Sequence, residues 1–132
     1  MSTFHSTTTI DKPAADVYNF LADLNNHQRL MATDDISQWS STVEKARFSI
    51  RNAIMLSIQI QELISGSMVR ITAVDKPPFE IELKWELTPV DDSTKVDFTI
   101  TAALNMMMKM VASGPLQTLA DEEIANLAKL LN

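Results

Sequence analysis

Residues 79 to 87 read Phe79-Glu80-Ile81-Glu82-Leu83-Lys84-Trp85-Glu86-Leu87. Apolar and charged side chains alternate without a break. That is the period of a β-strand, whose successive side chains leave opposite faces. A slip of one residue would carry Glu80, Glu82, Lys84 and Glu86 into the interior, so the register of this strand is fixed by its own sequence. Such a strand belongs to a sheet with one dry face, and a dry face needs a cover.

The rest of the chain supplies both. Thr3 to Ile10 is rich in β-branched residues and reads as a first strand. Asp11 then precedes Pro13 and a run with Val17, Phe20, Leu21 and Leu24 at helical spacing, which predicts a helix capped by Asp11 and reaching about Asp23. A second short helix is expected over His27 to Met31. Strands follow at Ile36 to Thr42, Ala46 to Arg51 and Ala53 to Ile64, where Leu56, Ile58 and Ile60 alternate with Ser57, Gln59 and Gln61. Ser65-Gly66-Ser67 makes a hairpin into Met68 to Val74, and Pro77-Pro78 ends that strand. After Phe79 to Leu87, a turn over Pro89 to Ser93 leads into Lys95 to Thr101. The period then becomes helical again. Ala120, Ile124, Leu127 and Leu131 form one stripe, and Met106 to Ala112 is helix-compatible upstream of it. Gly114-Pro115 falls between the two parts and predicts a kink or a break.

Consecutive strands joined by short turns pair antiparallel. The expected fold is therefore α+β: a curved six- or seven-stranded antiparallel sheet, in the order β-α-α-β6-α, wrapped around a long C-terminal helix. A length of 132 residues fits one domain over residues 1–132. A chain of that size buries roughly two-thirds of its unfolded surface.

Composition narrows the function classes. Cysteine is absent, which excludes disulfides and thiolate metal sites. The net charge of −6 and the pI near 4.7 come without any Lys/Arg stripe, so no nucleic-acid partner is expected. No apolar run approaches the ~18 residues of a membrane span and no signal peptide is visible, so no integral membrane association and a cytoplasmic location are expected. Oligomeric state is not readable.

Three stretches resemble a known family. They are Ile10-Asp11-Lys12-Pro13-Ala14-Ala15-Asp16-Val17-Tyr18-Asn19-Phe20-Leu21-Ala22-Asp23, the Trp85 strand with its acidic turn and returning Thr94-Lys95-Val96, and the closing helix after Leu104. Together they resemble the helix-grip superfamily of START-like lipid-binding domains and polyketide cyclase/dehydrase-like proteins, often called SRPBCC. The resemblance implies a cavity between the inner sheet face and the last helix, used across the family for sterols, lipids, polyketides, quinones or hormones. One departure is that the glycine-rich loop of many plant members has no counterpart near Val43-Glu44-Lys45, since only Gly66 and Gly114 are present.

A ligand in that cavity would be lined by Trp39, Phe48, Leu56, Ile58, Ile71 and Leu83. Trp85, Phe98, Met107, Met110 and Val111 would complete the lining. Each aromatic is equally readable as core. Ser6 and Thr8 are possible orienting hydroxyls. The run Met106-Met107-Met108 with Met110 suits an adaptable wall, since methionine is flexible and polarisable, or else irregular core filling.

Catalytic signatures are missing. No cysteine, Gly-x-Ser-x-Gly, Walker or Rossmann pattern exists, and no cofactor or metal is expected. His5 and His27 read as surface residues, and Asp121-Glu122-Glu123 as a solvated helix face. Glu62 alone is a weak catalytic candidate. It continues the inward series of Leu56, Ile58 and Ile60, unless a strand end or bulge turns it to solvent, which is the favoured reading. The expected function is binding of a small hydrophobic ligand. A cyclase or dehydrase using a cavity carboxylate, and an interaction module with a filled cavity, are the alternatives.

Overall fold

The computed structural model describes residues 1–31 and 34–132. The chain runs β1 (Ser2–Ile10), α1 (Ala14–Leu21), α2 (Leu24–Leu30), β2 (Ile36–Ser41), β3 (Lys45–Ile50), β4 (Ile54–Ile64), β5 (Met68–Val74), β6 (Ile81–Val90), β7 (Ser93–Ala102) and α3 (Met106–Leu131). The strands form one antiparallel sheet in the order β1-β7-β6-β5-β4-β3-β2. It curls around α3, which packs on β1 and β7, while α1 packs on β5, β6 and β7. This is the expected α+β helix-grip architecture, with seven strands.

The alternation that opened the sequence decides which face is dry. Ile81, Leu83, Trp85 and Leu87 of β6 are buried, as are Val96, Phe98, Ile100 and Ala102 of β7 beside them. Glu82 and Lys84 stay on the outer face, where Arg70 of the neighbouring β5 bridges Glu62 at 3.3 Å and Glu82 at 3.4 Å. The strand itself begins at Ile81 rather than Phe79, and it runs on to Val90. Asp91, with φ 55°, turns the chain directly into Ser93, which pairs with Val90. The predicted turn at Pro89 is thus displaced by the ladder, which Pro89 joins opposite Thr94.

Helix ends depart from expectation in two places. Pro13, not Asp11, precedes α1, and it makes no side-chain cap. Asp11 instead accepts a hydrogen bond from the Ser93 hydroxyl at 3.1 Å, while its N–H donates to Asn132 Oδ1 at 2.7 Å. Its role is to tie the end of β1 to the end of α3. The second departure is larger. α3 is continuous through Gly114 and Pro115, so the predicted break is absent. Proline at 115 cannot donate to the Val111 carbonyl. Val111 is 51% exposed, so solvent is at hand to supply that bond. The Pro115 ring itself is buried with Ala112, Leu116 and Leu119.

Candidate functional site

Among the described residues, four buried side-chain polar atoms have no hydrogen-bond partner: His27 Nδ1, Trp85 Nε1 and both carboxylate oxygens of Glu123. Buried polar atoms are almost always paired, so each such atom calls for a reason. Trp85 stacks on Phe98, its partner across the ladder, with ring centroids 3.9 Å apart. Its indole meets the His27 ring edge-on at 6.0 Å.

His27 is fully buried in α2, which corrects its reading as a surface histidine. The cause is position rather than polarity. Leu24, His27 and Leu30 share one helical face, and all three point inward. His27 Nε2 lies 2.8 Å from the Leu21 carbonyl, which can only accept, so Nε2 carries the proton and Nδ1 is left an acceptor. Burial lowers its pKa to about 4, partly opposed by that hydrogen bond and by Asp23. The ring is therefore neutral at physiological pH.

Glu123 corrects a second reading. The run Asp121-Glu122-Glu123 is only in part a solvated face: Asp121 and Glu122 are exposed, and Glu123 is 0% exposed. It stands on the inward stripe of α3 with Leu116, Leu119, Ala120 and Leu127. Loss of hydration raises its carboxyl well above the ordinary carboxylate range, which favours the neutral acid.

An apolar groove of about 440 Å³ opens at the other end of α3. It is lined by Ala53, Ile54 and Met55 after the β3–β4 turn, Lys76 and Pro78 between β5 and β6, and Met108 and Val111 of α3. Asn105 sets that end of the helix, its side chain accepting from the Met108 N–H at 2.8 Å. Both strand connections beside the groove carry paired left-handed residues, Arg51 with Asn52 and Asp75 with Lys76. Such conformations are costly for side-chain-bearing residues and tend to gather at functional rims. A further depression of about 410 Å³ lies on the outer face, but Glu80, Glu82, Thr72 and Thr101 make it polar. Its lining is polar where that of the groove at α3 is mostly apolar.

Comparison with known proteins decides the family. The model described as "Polyketide cyclase / dehydrase and lipid transport" matches residues 1–132. The chain belongs to this family. No curated protein matches it in sequence. Among solved structures, XoxI from Bacillus cereus is similar at TM-score 0.76 and 9% identity, over 99% of this chain and 96% of that one. A conserved protein from Geobacillus kaustophilus is similar at TM-score 0.72 and 12% identity, over 98% and 95% of the two chains. The Aha1 dimer from Colwellia psychrerythraea is similar at TM-score 0.68 and 18% identity, over 99% and 96%. At these identities the likeness is one of fold.

Set in the polyketide cyclase/dehydrase and lipid transport fold, the residues singled out from sequence divide into three groups. Phe48, Leu56, Ile58, Ile71, Leu83, Trp85 and Phe98 are all buried on the inner sheet face. Trp39 is half-buried on β2, stacked on Phe48 at 5.6 Å, with its indole N–H donating to the Ser41 hydroxyl at 2.9 Å. Met107 and Met110 are 74% and 85% exposed and do not line the groove, whereas Val111 does. Met108, expected only as part of the methionine run and not in the ligand lining, is the methionine of that run that lines the groove. It lies four residues before Ala112 and eight before Leu116, so the stripe extended backwards identifies it.

Glu62 is exposed and paired with Arg70. A bulge between Ile60 and Glu62 ends the inward series there. His5 is also exposed, 3.2 Å from Asp97. Among the described residues no cluster of His, Cys, Asp and Glu could hold a metal ion, and no helix is long and apolar enough to cross a membrane.

Proposed function

We propose that the protein binds a small hydrophobic molecule of the lipid, polyketide or quinone class between the sheet and α3, admitted at the groove beside Met108 and Val111. The observation that carries this reading is the groove itself. It is apolar, it lies against the first turns of α3, and among the described residues Lys76 is the one charged side chain in its lining. A pocket dominated by apolar side chains with few polar groups is the usual form of a small-molecule site. Membership of a family described by lipid transport supports the same class of ligand.

A second reading, an enzyme of the cyclase or dehydrase kind, is favoured by Glu123. It is an ionisable group held inside the fold, which Glu62 is not.

Titration of the purified protein with N-phenyl-1-naphthylamine, a neutral probe that brightens in apolar sites, tests the binding proposal. Saturable one-to-one binding is expected, weakened about tenfold or more by Val111→Asp, since the bound probe would strip water from the introduced charge. Absence of saturable binding, or equal binding by the variant, would overturn it.

A further inference from the structure

The apolar groove explains how a hydrophobic body is received. It leaves Glu123, Trp85 and His27 without a use. Trp85 adjoins His27, and the turn of α3 after Glu123 is tied to α2, the helix that carries His27. Trp85 and His27 are in edge-on contact at 6.0 Å. One turn beyond Glu123, Asn126 donates to the carbonyl of Leu30 at 2.8 Å, and Leu30 lies one turn beyond His27, so this stretch of α3 rests on α2. None of the free polar atoms bonds to another.

Their hydrogen-bonding characters differ in a useful way. The indole N–H can only donate. His27 Nδ1 can only accept, because Nε2 holds the proton against the Leu21 carbonyl. The Glu123 carboxyl, uncharged in this setting, does both. Among the described residues, none of these atoms has a hydrogen-bond partner in the protein.

We propose that Glu123, with Trp85 and His27, is the polar anchor of the ligand site and takes a neutral oxygen function, foremost a hydroxyl, at the end of an otherwise apolar molecule. This rests on the hydrophobic-ligand reading above and narrows it. A hydroxyl offers one donor and two acceptor positions, which match the complementary set. A carbonyl, which only accepts, matches the indole and the acid. A carboxylate or ammonium would enter without a counter-charge, at a large desolvation cost. The rise along α3 places Glu123 roughly 18 Å from Val111, so a molecule anchored there and reaching the groove is elongated. Ala112 and Ala120 are the small residues of the stripe that separates the two ends.

The test is competition against bound N-phenyl-1-naphthylamine by a matched series: dodecane, dodecanol, dodecanone and dodecanoate. The wild-type protein is expected to prefer dodecanol to dodecane by about tenfold, the worth of one well-made buried hydrogen bond. Dodecanone should fall between them, and dodecanoate should gain nothing over dodecane. Glu123→Leu should bring alcohol and alkane to within about twofold while probe binding persists, and Glu123→Gln, which keeps a neutral donor and acceptor, should retain most of the preference. A wild-type protein that binds the probe but ranks alcohol with alkane would overturn the proposal, leaving the carboxyl to a buried water only. So would a Glu123→Leu protein that keeps the preference. Failure of the probe to bind the wild-type protein would instead defeat the hydrophobic-ligand reading itself. Should Glu123→Leu not fold, the Gln variant decides: loss of the preference there would show that more than a neutral hydrogen bond is at work and would contradict the proposal.

Discussion

Trp85 and Phe98 face each other across the β6–β7 ladder with their rings 17° from parallel and their centroids 3.9 Å apart. Both are fully buried, so this pair packs into the core on the inner sheet face. Truncating Trp85 to alanine removes the stack and leaves a cavity, which should cost about 3–5 kcal/mol. Trp85→Phe keeps an aromatic in the stack and deletes an N–H that has no protein partner, so its cost should be near 1 kcal/mol. Urea unfolding of the two variants measures the difference. Equal losses would mean that a retained aromatic ring recovers none of the stability and that the indole itself is required.

His27 makes the protein sensitive to acid. Its pKa is lowered from 6.5 to about 4 by burial, so between those values the unfolded chain binds a proton that the folded one refuses. Folding stability should therefore fall as pH drops from 6.5 to 4, by up to about 3 kcal/mol, and level off below. His27→Gln should flatten that part of the stability profile. An unchanged profile in the variant would show that other groups control acid unfolding.

Glu123 acts with the opposite sign. Its folded pKa is raised above the ordinary 4.5, so its contribution is intact below 4.5 and is lost as pH rises through the folded value. In that range the unfolded carboxyl ionises and the folded one does not. Glu123→Gln removes this penalty, so the variant should gain on the wild type steadily as pH rises above 4.5. Chemical denaturation at a series of pH values measures the gap. A gap that stays constant would contradict a neutral buried acid.

Gly114 sits inside an unbroken helix, and a Cβ placed there meets nothing within 4 Å. Gly114→Ala should therefore stabilise the protein by about 1 kcal/mol through helix propensity and a less flexible unfolded chain. Thermal melts give the sign. A loss of stability would mean that the helix bends at this point in solution, as the sequence alone suggests.

The legible parts of the fold were those with a strict period. The alternation over β6 set its register, and that of β7 put Val96, Phe98 and Ile100 on the inner face, where the ladder pairs Phe98 with Trp85. The two short helices, the sheet and the closing helix all follow from periodicity and turn residues. Three features were hidden for physical reasons. Helix continuity through Pro115 depends on an exposed Val111 whose carbonyl solvent can serve, which no local pattern encodes. The burial of His27 follows from its helical phase with Leu24 and Leu30, a signal outweighed by the polar residues around it. Glu123 lies three residues after Ala120 and four before Leu127, so its phase marked it as inward, but the adjoining Asp121 and Glu122 gave the run the look of a solvated face. As for the candidate site, its apolar wall was readable, whereas the groove and the buried polar groups depend on contacts between elements far apart in the chain.

The central claim, that a hydrophobic molecule enters between α3 and the strand connections beside it, is tested most directly by methyl NMR of methionine-labelled protein titrated with dodecanol. The Met108 methyl is expected to shift and to show intermolecular contacts to the alkyl chain, while Met106, which is 81% exposed and outside the groove, is not. Shifts confined to Met1, in the outer-face depression, would contradict it.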